Sequence, residues 1–139
     1  PNSAVHRMAG EVTADNAAAE YDFEVRRAIE ERKPAFDLVL LGMGAEGHTA
    51  SLFPGSPALG EKHKMALHVV VPPEPHDRVT MTPLALASTR QILFLVTGVD
   101  KAEAIAGVFQ DDSELPAAMI SRLAPARFLV DEAAASRVS

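Results

Sequence analysis

The chain has 139 residues, a net charge of −6 and no cysteine, which excludes disulfides, thiolate metal centres and cysteine nucleophiles. Its acidic balance, the absence of Trp and an aromatic content of 5% remove both the general attraction for a polyanion and the base-stacking platforms of nucleic-acid binders. With 47% hydrophobic and 23% charged residues the composition is globular, and no apolar run approaches the ~20 residues that span a bilayer, so neither nucleic acid nor a membrane is an expected partner.

The length suits one domain, 1–139. Lack of cysteine fits a reducing compartment, and a cytoplasmic location is expected. Pro1 is not a natural initiator, and Pro1-Asn2-Ser3-Ala4-Val5-His6 reads as the middle of a loop-to-strand segment, as at the start of a fragment or a processed product. Ala17, Tyr21, Val25, Ala28 and Ile29 recur at helical spacing and predict a helix over 15–33, closed by Pro34. Residues 36–41 form a nearly continuous apolar run bounded by turn residues, the pattern of a strand buried on both faces. A glycine-rich loop follows over 42–47, and 48–53 has room for little more than one helical turn before Pro54. A second strand is predicted over 67–71, ended by Pro72-Pro73-Glu74-Pro75, and a short third over 78–81. Thr82-Pro83 has the form of an N-cap followed by Pro at the first helical position, with a helix over 84–88. Residues 91–97 read as a fourth strand, apolar throughout; Gly98 and Asp100 lead into a helix over 101–109. Pro116 opens a short helix over 115–120, 127–130 is a last strand, and Asp131 caps an Ala-rich terminal helix. Alternating helices and buried strands imply an α/β fold, a mainly parallel sheet flanked by helices in a Rossmann-like layered architecture.

The loop after the first strand carries the chemistry. In Gly42-Met43-Gly44-Ala45-Glu46-Gly47-His48, a carboxylate and an imidazole follow a buried strand directly, and ligand crevices of open α/β sheets lie at the carboxyl ends of strands. The glycines permit a sharp turn and close approach of backbone to a ligand. Across Gly47, Glu46 can converge on His48 and orient or tune it. The same residues satisfy G-x-G-x-x-G, but a dinucleotide site also needs a full helix there, and Pro54 and Pro57 leave no room for one. Ser51 lacks the G-x-S-x-G setting of a nucleophile elbow. His6, His63, His68 and His76 have no metal-ligand spacing and read as structural or solvated, and Asp111-Asp112-Ser113-Glu114 as a solvated loop and helix cap.

Segment 36–56 resembles the signature of 6-phosphogluconolactonases, L-L-G-M-G-x-D-G-H-T-A-S-L-F-P-G. The resemblance continues through Arg78-Val79-Thr80-Met81-Thr82 (R-x-T-x-T), Gly98 and Lys101 (G-x-x-K), Leu115-Pro116-Ala117-Ala118, and Phe128-Leu129-Val130-Asp131-Glu132-Ala133-Ala134. Glu46 stands where the family usually has Asp, one methylene further out. Family members are roughly twice as long, so the resemblance covers their C-terminal half and implies that 1–139 is the C-terminal part of a longer lactonase domain. Glucosamine-6-phosphate deaminase has a similar loop, G-H-I-x-F-N-E-P-G; aligned on Gly47-His48 and Pro54-Gly55, its Glu falls on Phe53, which cannot take a proton.

The resemblance implies hydrolysis of 6-phospho-D-glucono-1,5-lactone to 6-phospho-D-gluconate in the oxidative pentose phosphate pathway. It requires no metal and no cofactor, because the ester carbonyl is already electrophilic. His48 would activate water with Glu46 beside it, amides of the Gly42, Gly44 and Gly47 loop would serve the oxyanion and substrate, and Arg78 and Lys101 would hold the phosphate. Two other readings stand beside it: an aldose-ketose isomerase or deaminase acting on an amino-sugar phosphate, and a non-catalytic sugar-phosphate-binding fragment. A sheet that lacked strands would expose apolar edges or faces, and a homodimer or association with a missing N-terminal half is the expected consequence.

Overall fold

Helix α1 (Ala14–Glu31) begins where Thr13 Oγ1 accepts the Asn16 N–H at 3.4 Å, with Asp15 in the first turn, where the helix dipole favours negative charge. Its buried stripe is narrow and small, Ala17, Ala18 and Val25, which lets the helix lie close on the hairpin of β2 (Ala66–Val71) and β3 (His76–Met81). The two strands are antiparallel, with Val69 opposite Arg78 and Leu67 opposite Thr80. Asp22 pins α1 to the start of β2: it receives the Met65 N–H and pairs with Arg26 Nε at 2.8 Å. Burial pushes its carboxyl up, but the hydrogen bonds from Arg26 and Met65 outweigh that and hold it below the usual range.

The larger sheet consists of β1 (Val39–Leu41), β4 (Ile92–Val96) and β5 (Ala126–Val130), in the order β1-β4-β5, parallel throughout. In this register Leu41, Phe94 and Phe128 lie side by side, and so do Val39, Ile92 and Ala126. That face meets α2 (Pro83–Leu86), α3 (Ala102–Val108) and α4 (Pro116–Ser121) through Leu86, Ile105 and Ile120, with Leu52 and Met43 of the glycine-rich segment in the same core. Phe94 stacks on Phe128 at 4.3 Å. The structure is a computed structural model describing residues 4–71 and 76–138; expectations for 1–3 and for the Pro-rich stretch 72–75 lie outside the described residues.

The helices, strands and mainly parallel sheet follow the sequence pattern, with five differences. The strand over 36–41 was expected to be buried on both faces, yet Leu40 is 58% exposed. Leu40, Leu95 and Leu129 line the face opposite Phe94, and no helix of the described residues covers it; hydrophobicity alone does not record which side a layer will occupy. Residues 48–53 are a tight turn, not a helical turn. Ala50 has φ +51°, and the Leu52 N–H returns to the Thr49 carbonyl at 2.9 Å. The helix expected from Lys101 begins at Ala102, preceded by a 3-10 turn over Val99–Lys101. Beyond Asp131, 132–137 form turns, not a helix: Asp131 Oδ1 accepts the Ala134 N–H at 2.8 Å as a cap would, and the Asp131 carbonyl accepts the Ala135 N–H at 3.0 Å, but the Ser136 and Val138 N–H groups return three residues back, to Ala133 and Ala135. Likewise 4–9 carry no strand.

Candidate active site

The loop leaves β1 at its carboxyl end and is fastened at several points. Thr49, fully buried, donates through Oγ1 to the Gly42 carbonyl at 2.8 Å. The Gly44 N–H donates to the His48 carbonyl and the Gly47 N–H to the Gly44 carbonyl, both at 2.9 Å. Thr80, buried on β3, accepts the Ser51 N–H at 3.2 Å. Gly47 has φ +81°, a region L side chains rarely occupy. Its carbonyl accepts the Ala117 N–H of α4 at 3.0 Å, and its Cα lies against Leu115. The loop is therefore held by strand, hairpin and helix at once.

Within it Glu46 and His48 come together. Glu46 Oε1 lies 3.0 Å from His48 Nδ1. The approach is close but lacks hydrogen-bond alignment, and the buried Nδ1 has no hydrogen-bond partner among the described residues. The side chain of His48 is nevertheless 27% exposed, so its solvent access lies away from Nδ1. The imidazole stacks on Phe53, with centroids 4.1 Å apart and planes 20° apart. Gly44 leaves room for it: a Cβ there would fall 2.0 Å from Nδ1 and 2.7 Å from Glu46 Oε2. Glu46 is held below the usual carboxylate range first by its own backbone N–H, then by His48 and by the positive charge of Lys101, against a smaller opposing effect of burial.

Lys101 thus belongs to the electrostatic surroundings of Glu46. Its ammonium pairs with Asp100 Oδ2 at 3.0 Å, and Asp100 folds back over Gly98, whose φ is +100°. The Gly98 N–H is held in turn by both carboxylate oxygens of Asp131, at 3.1 and 3.2 Å. Arg78 is not brought into contact with this group. It is exposed on β3 and makes no ion pair among the described residues; strand alternation puts it on the same side of the hairpin as Thr80, the side that holds the His48 loop.

An open groove of about 1140 Å³ borders the loop, reaching Ala45 and Glu46 and passing along α3 to Ser113 and Leu115. Glu103, Asp112, Glu114 and Arg137 also line it; His48 does not. Ala45 lines this groove, and its N–H has no hydrogen-bond partner among the described residues, whereas those of Gly44 and Gly47 are engaged within the loop. The other histidines have local partners. His68 lies between Asp15 and Asp77, at 3.0 and 2.7 Å. His6 meets Glu24 at 3.2 Å, and the His63 N–H donates to Glu61. The acidic loop 111–114 is tied down by Arg122, which donates to the carbonyl of Ser113 at 2.8 Å.

Thr80, Leu115 and Asp131 are the supports that reading the sequence for chemistry missed. Each lies in one of the later blocks of the resemblance, which left Thr80 and Leu115 without a role, while Asp131 was read only as a helix cap.

A parallel sheet with a Glu–His pair on the loop after its first strand defines a layered α/β protein with a candidate active site at a strand carboxyl end. The chain matches, over residues 1–128, the family described as glucosamine-6-phosphate isomerases/6-phosphogluconolactonase. It is 37% identical to the 6-phosphogluconolactonase of Rattus norvegicus, covering 100% of this chain and 56% of that one. It is 36% identical to that of Homo sapiens, over 97% of this chain and 54% of the relative. The structure of 6-phosphogluconolactonase from Trypanosoma brucei superposes with a TM-score of 0.76 at 31% identity, over 99% of this chain and 59% of that chain. The chain belongs to the glucosamine-6-phosphate isomerase/6-phosphogluconolactonase family, and it spans about half the length of the curated relatives it matches. No helix among the described residues is long and apolar enough to cross a membrane.

Proposed function

We propose that this chain carries the hydrolytic centre for 6-phospho-D-glucono-1,5-lactone, with His48 as general base. The observation that carries the reading is the arrangement of the imidazole: Nδ1 is buried beside the Glu46 carboxylate at 3.0 Å while the ring keeps solvent access elsewhere. A proton on Nδ1, facing Glu46, leaves Nε2 as the lone-pair nitrogen. Nε2 takes a proton from water as the water oxygen attacks the lactone carbonyl, and the ionised Glu46 stabilises the imidazolium that forms. The tetrahedral oxyanion then collapses, the ring C–O bond breaks, and the departing ring oxygen takes the proton back from Nε2. A positioned base of this kind supplies about 10²–10⁴-fold.

The N–H of Ala45, a groove-lining residue whose amide has no partner among the described residues, is the loop amide best suited to the oxyanion. Gly42, Gly44 and Gly47 let bare backbone approach the substrate. The groove itself is acidic, so the phosphate needs cations from outside its lining; Lys101 and Arg78 supply them in this reading. An ammonium has three donors and can keep Asp100 while binding phosphate.

The isomerase or deaminase reading needs a carboxylate where Phe53 stands, and that ring is stacked on His48. Lactone hydrolysis measured on this chain and on His48→Ala and His48→Asn tests the proposal. A loss of about 10²–10⁴-fold in both variants is expected. Equal rates in all three would overturn the role of His48. Binding of 6-phosphogluconate without turnover would replace hydrolysis with the binding-only reading.

A further inference from the structure

Packing as well as charge holds the imidazole of His48. Glu46 approaches Nδ1 to 3.0 Å without close hydrogen-bond alignment, so the ring's torsion depends on packing as well as on that approach. Two surfaces provide the packing. The bare backbone at Gly44 takes up one edge, where a side chain would fall 2.0 Å from Nδ1 and 2.2 Å from Cε1. The ring of Phe53 covers a face at 4.1 Å, tilted only 20°.

Phe53 is itself fixed. The residue before it, Leu52, is fully buried, and its N–H closes on the Thr49 carbonyl at 2.9 Å. The Phe53 carbonyl accepts the Ser56 N–H at 3.0 Å. A rigid flat surface thus abuts the one side chain on which the proposed chemistry depends.

We propose that Phe53 is a positioning residue that sets the plane of the His48 imidazole, so that Nε2 rather than Nδ1 is presented to solvent. The kinetic consequence rests on the lactonase reading given above; the positioning does not. Misplacement of a reacting group by about 1 Å costs on the order of 10²-fold in rate, and a stack contributes orientation that an aliphatic side chain of similar bulk cannot.

The test compares Phe53→Leu and Phe53→Met, which keep apolar bulk without a flat face, with Phe53→Tyr, which keeps the face. Expected for Leu and Met is a fall in kcat of about 10²-fold with KM unchanged, and recovery in Tyr. Wild-type kcat in Leu and Met, a rise in KM alone, or a Tyr variant as slow as Leu would overturn the proposal. The stack is also read without turnover, in the proton spectrum of the unliganded chain. The ring current of Phe53 should hold the His48 Cε1–H upfield in wild type and Phe53→Tyr, with a downfield move in Leu and Met. No move overturns the proposal. If the wild-type chain hydrolyses no lactone, the functional reading fails by itself, and the His48 resonance still decides whether Phe53 sets the ring.

Discussion

Gly47 and Leu115 are packed against one another: a Cβ at position 47 would lie 3.0 Å from Leu115 Cδ2, and the Gly47 carbonyl accepts the Ala117 N–H just beyond that leucine at 3.0 Å. The tip of the Glu46–His48 loop is therefore seated on the start of α4. Two segments distant in sequence, one carrying the polar pair and one almost wholly apolar, form a single support.

Gly47→Ala should destabilise the fold. The position has φ +81°, where an L side chain costs about 1–2 kcal/mol, and the new methyl would press on Leu115 as well. Urea unfolding should show a loss of at least that size with an unchanged slope. Stability equal to wild type would mean that the loop turns without needing the left-handed conformation.

Gly44→Ala should separate activity from stability. The added methyl would meet the ends of two side chains, His48 and Glu46, and these can swing outward at modest cost. On the proposed mechanism, with His48 as the base, lactone hydrolysis should fall by about 10²-fold, while the unfolding midpoint shifts little. A variant that unfolds early yet keeps its specific activity would show the opposite, a glycine needed for folding and not for placing the imidazole.

Thr80→Val removes the acceptor for the Ser51 N–H, which is otherwise buried between β3 and the loop. An unsatisfied buried amide costs about 1–3 kcal/mol, so the variant should lose stability in that range in denaturant titration. Amide exchange at Ser51 should rise in the same variant. Unchanged exchange there would place the amide's partner elsewhere.

What could be read from the sequence was local or periodic. α1 follows from the spacing of Ala17, Tyr21 and Val25, the strands from short apolar runs, and the approach of Glu46 to His48 from a glycine between them. The long-range contacts could not be read, because nothing within residues 42–56 names Thr80 or Leu115 as its support. Leu40 and Leu41 are equally apolar, and only the placement of helices decides which of them is half-buried and which faces out. Asp131 was legible as a cap, but its grip on the Gly98 N–H depends on β4 and β5 ending side by side. Phe53 had a chemical meaning as a residue that cannot take a proton; its stack on His48 emerged only from the turn that Ala50 makes with φ +51°.

His68 is held between Asp15 at Nδ1 and Asp77 at Nε2, joining the start of α1 to the hairpin. The hydrogen bond that its ring donates to Asp15, then the one to Asp77, raises its pKa above the ordinary 6.5, against a smaller opposing effect of burial. A group whose pKa is higher in the folded state binds its proton more tightly there, so its stabilising effect is complete below the unfolded value and disappears as pH rises through the folded one. Both carboxylates are largely exposed, and salt should weaken the effect. Melting temperatures of wild type and His68→Gln should differ most at about pH 6, with the gap narrowing as the pH is raised through the region above 6.5. A gap that widens with rising pH would reverse the sign and show that His68 stabilises the fold as the neutral ring.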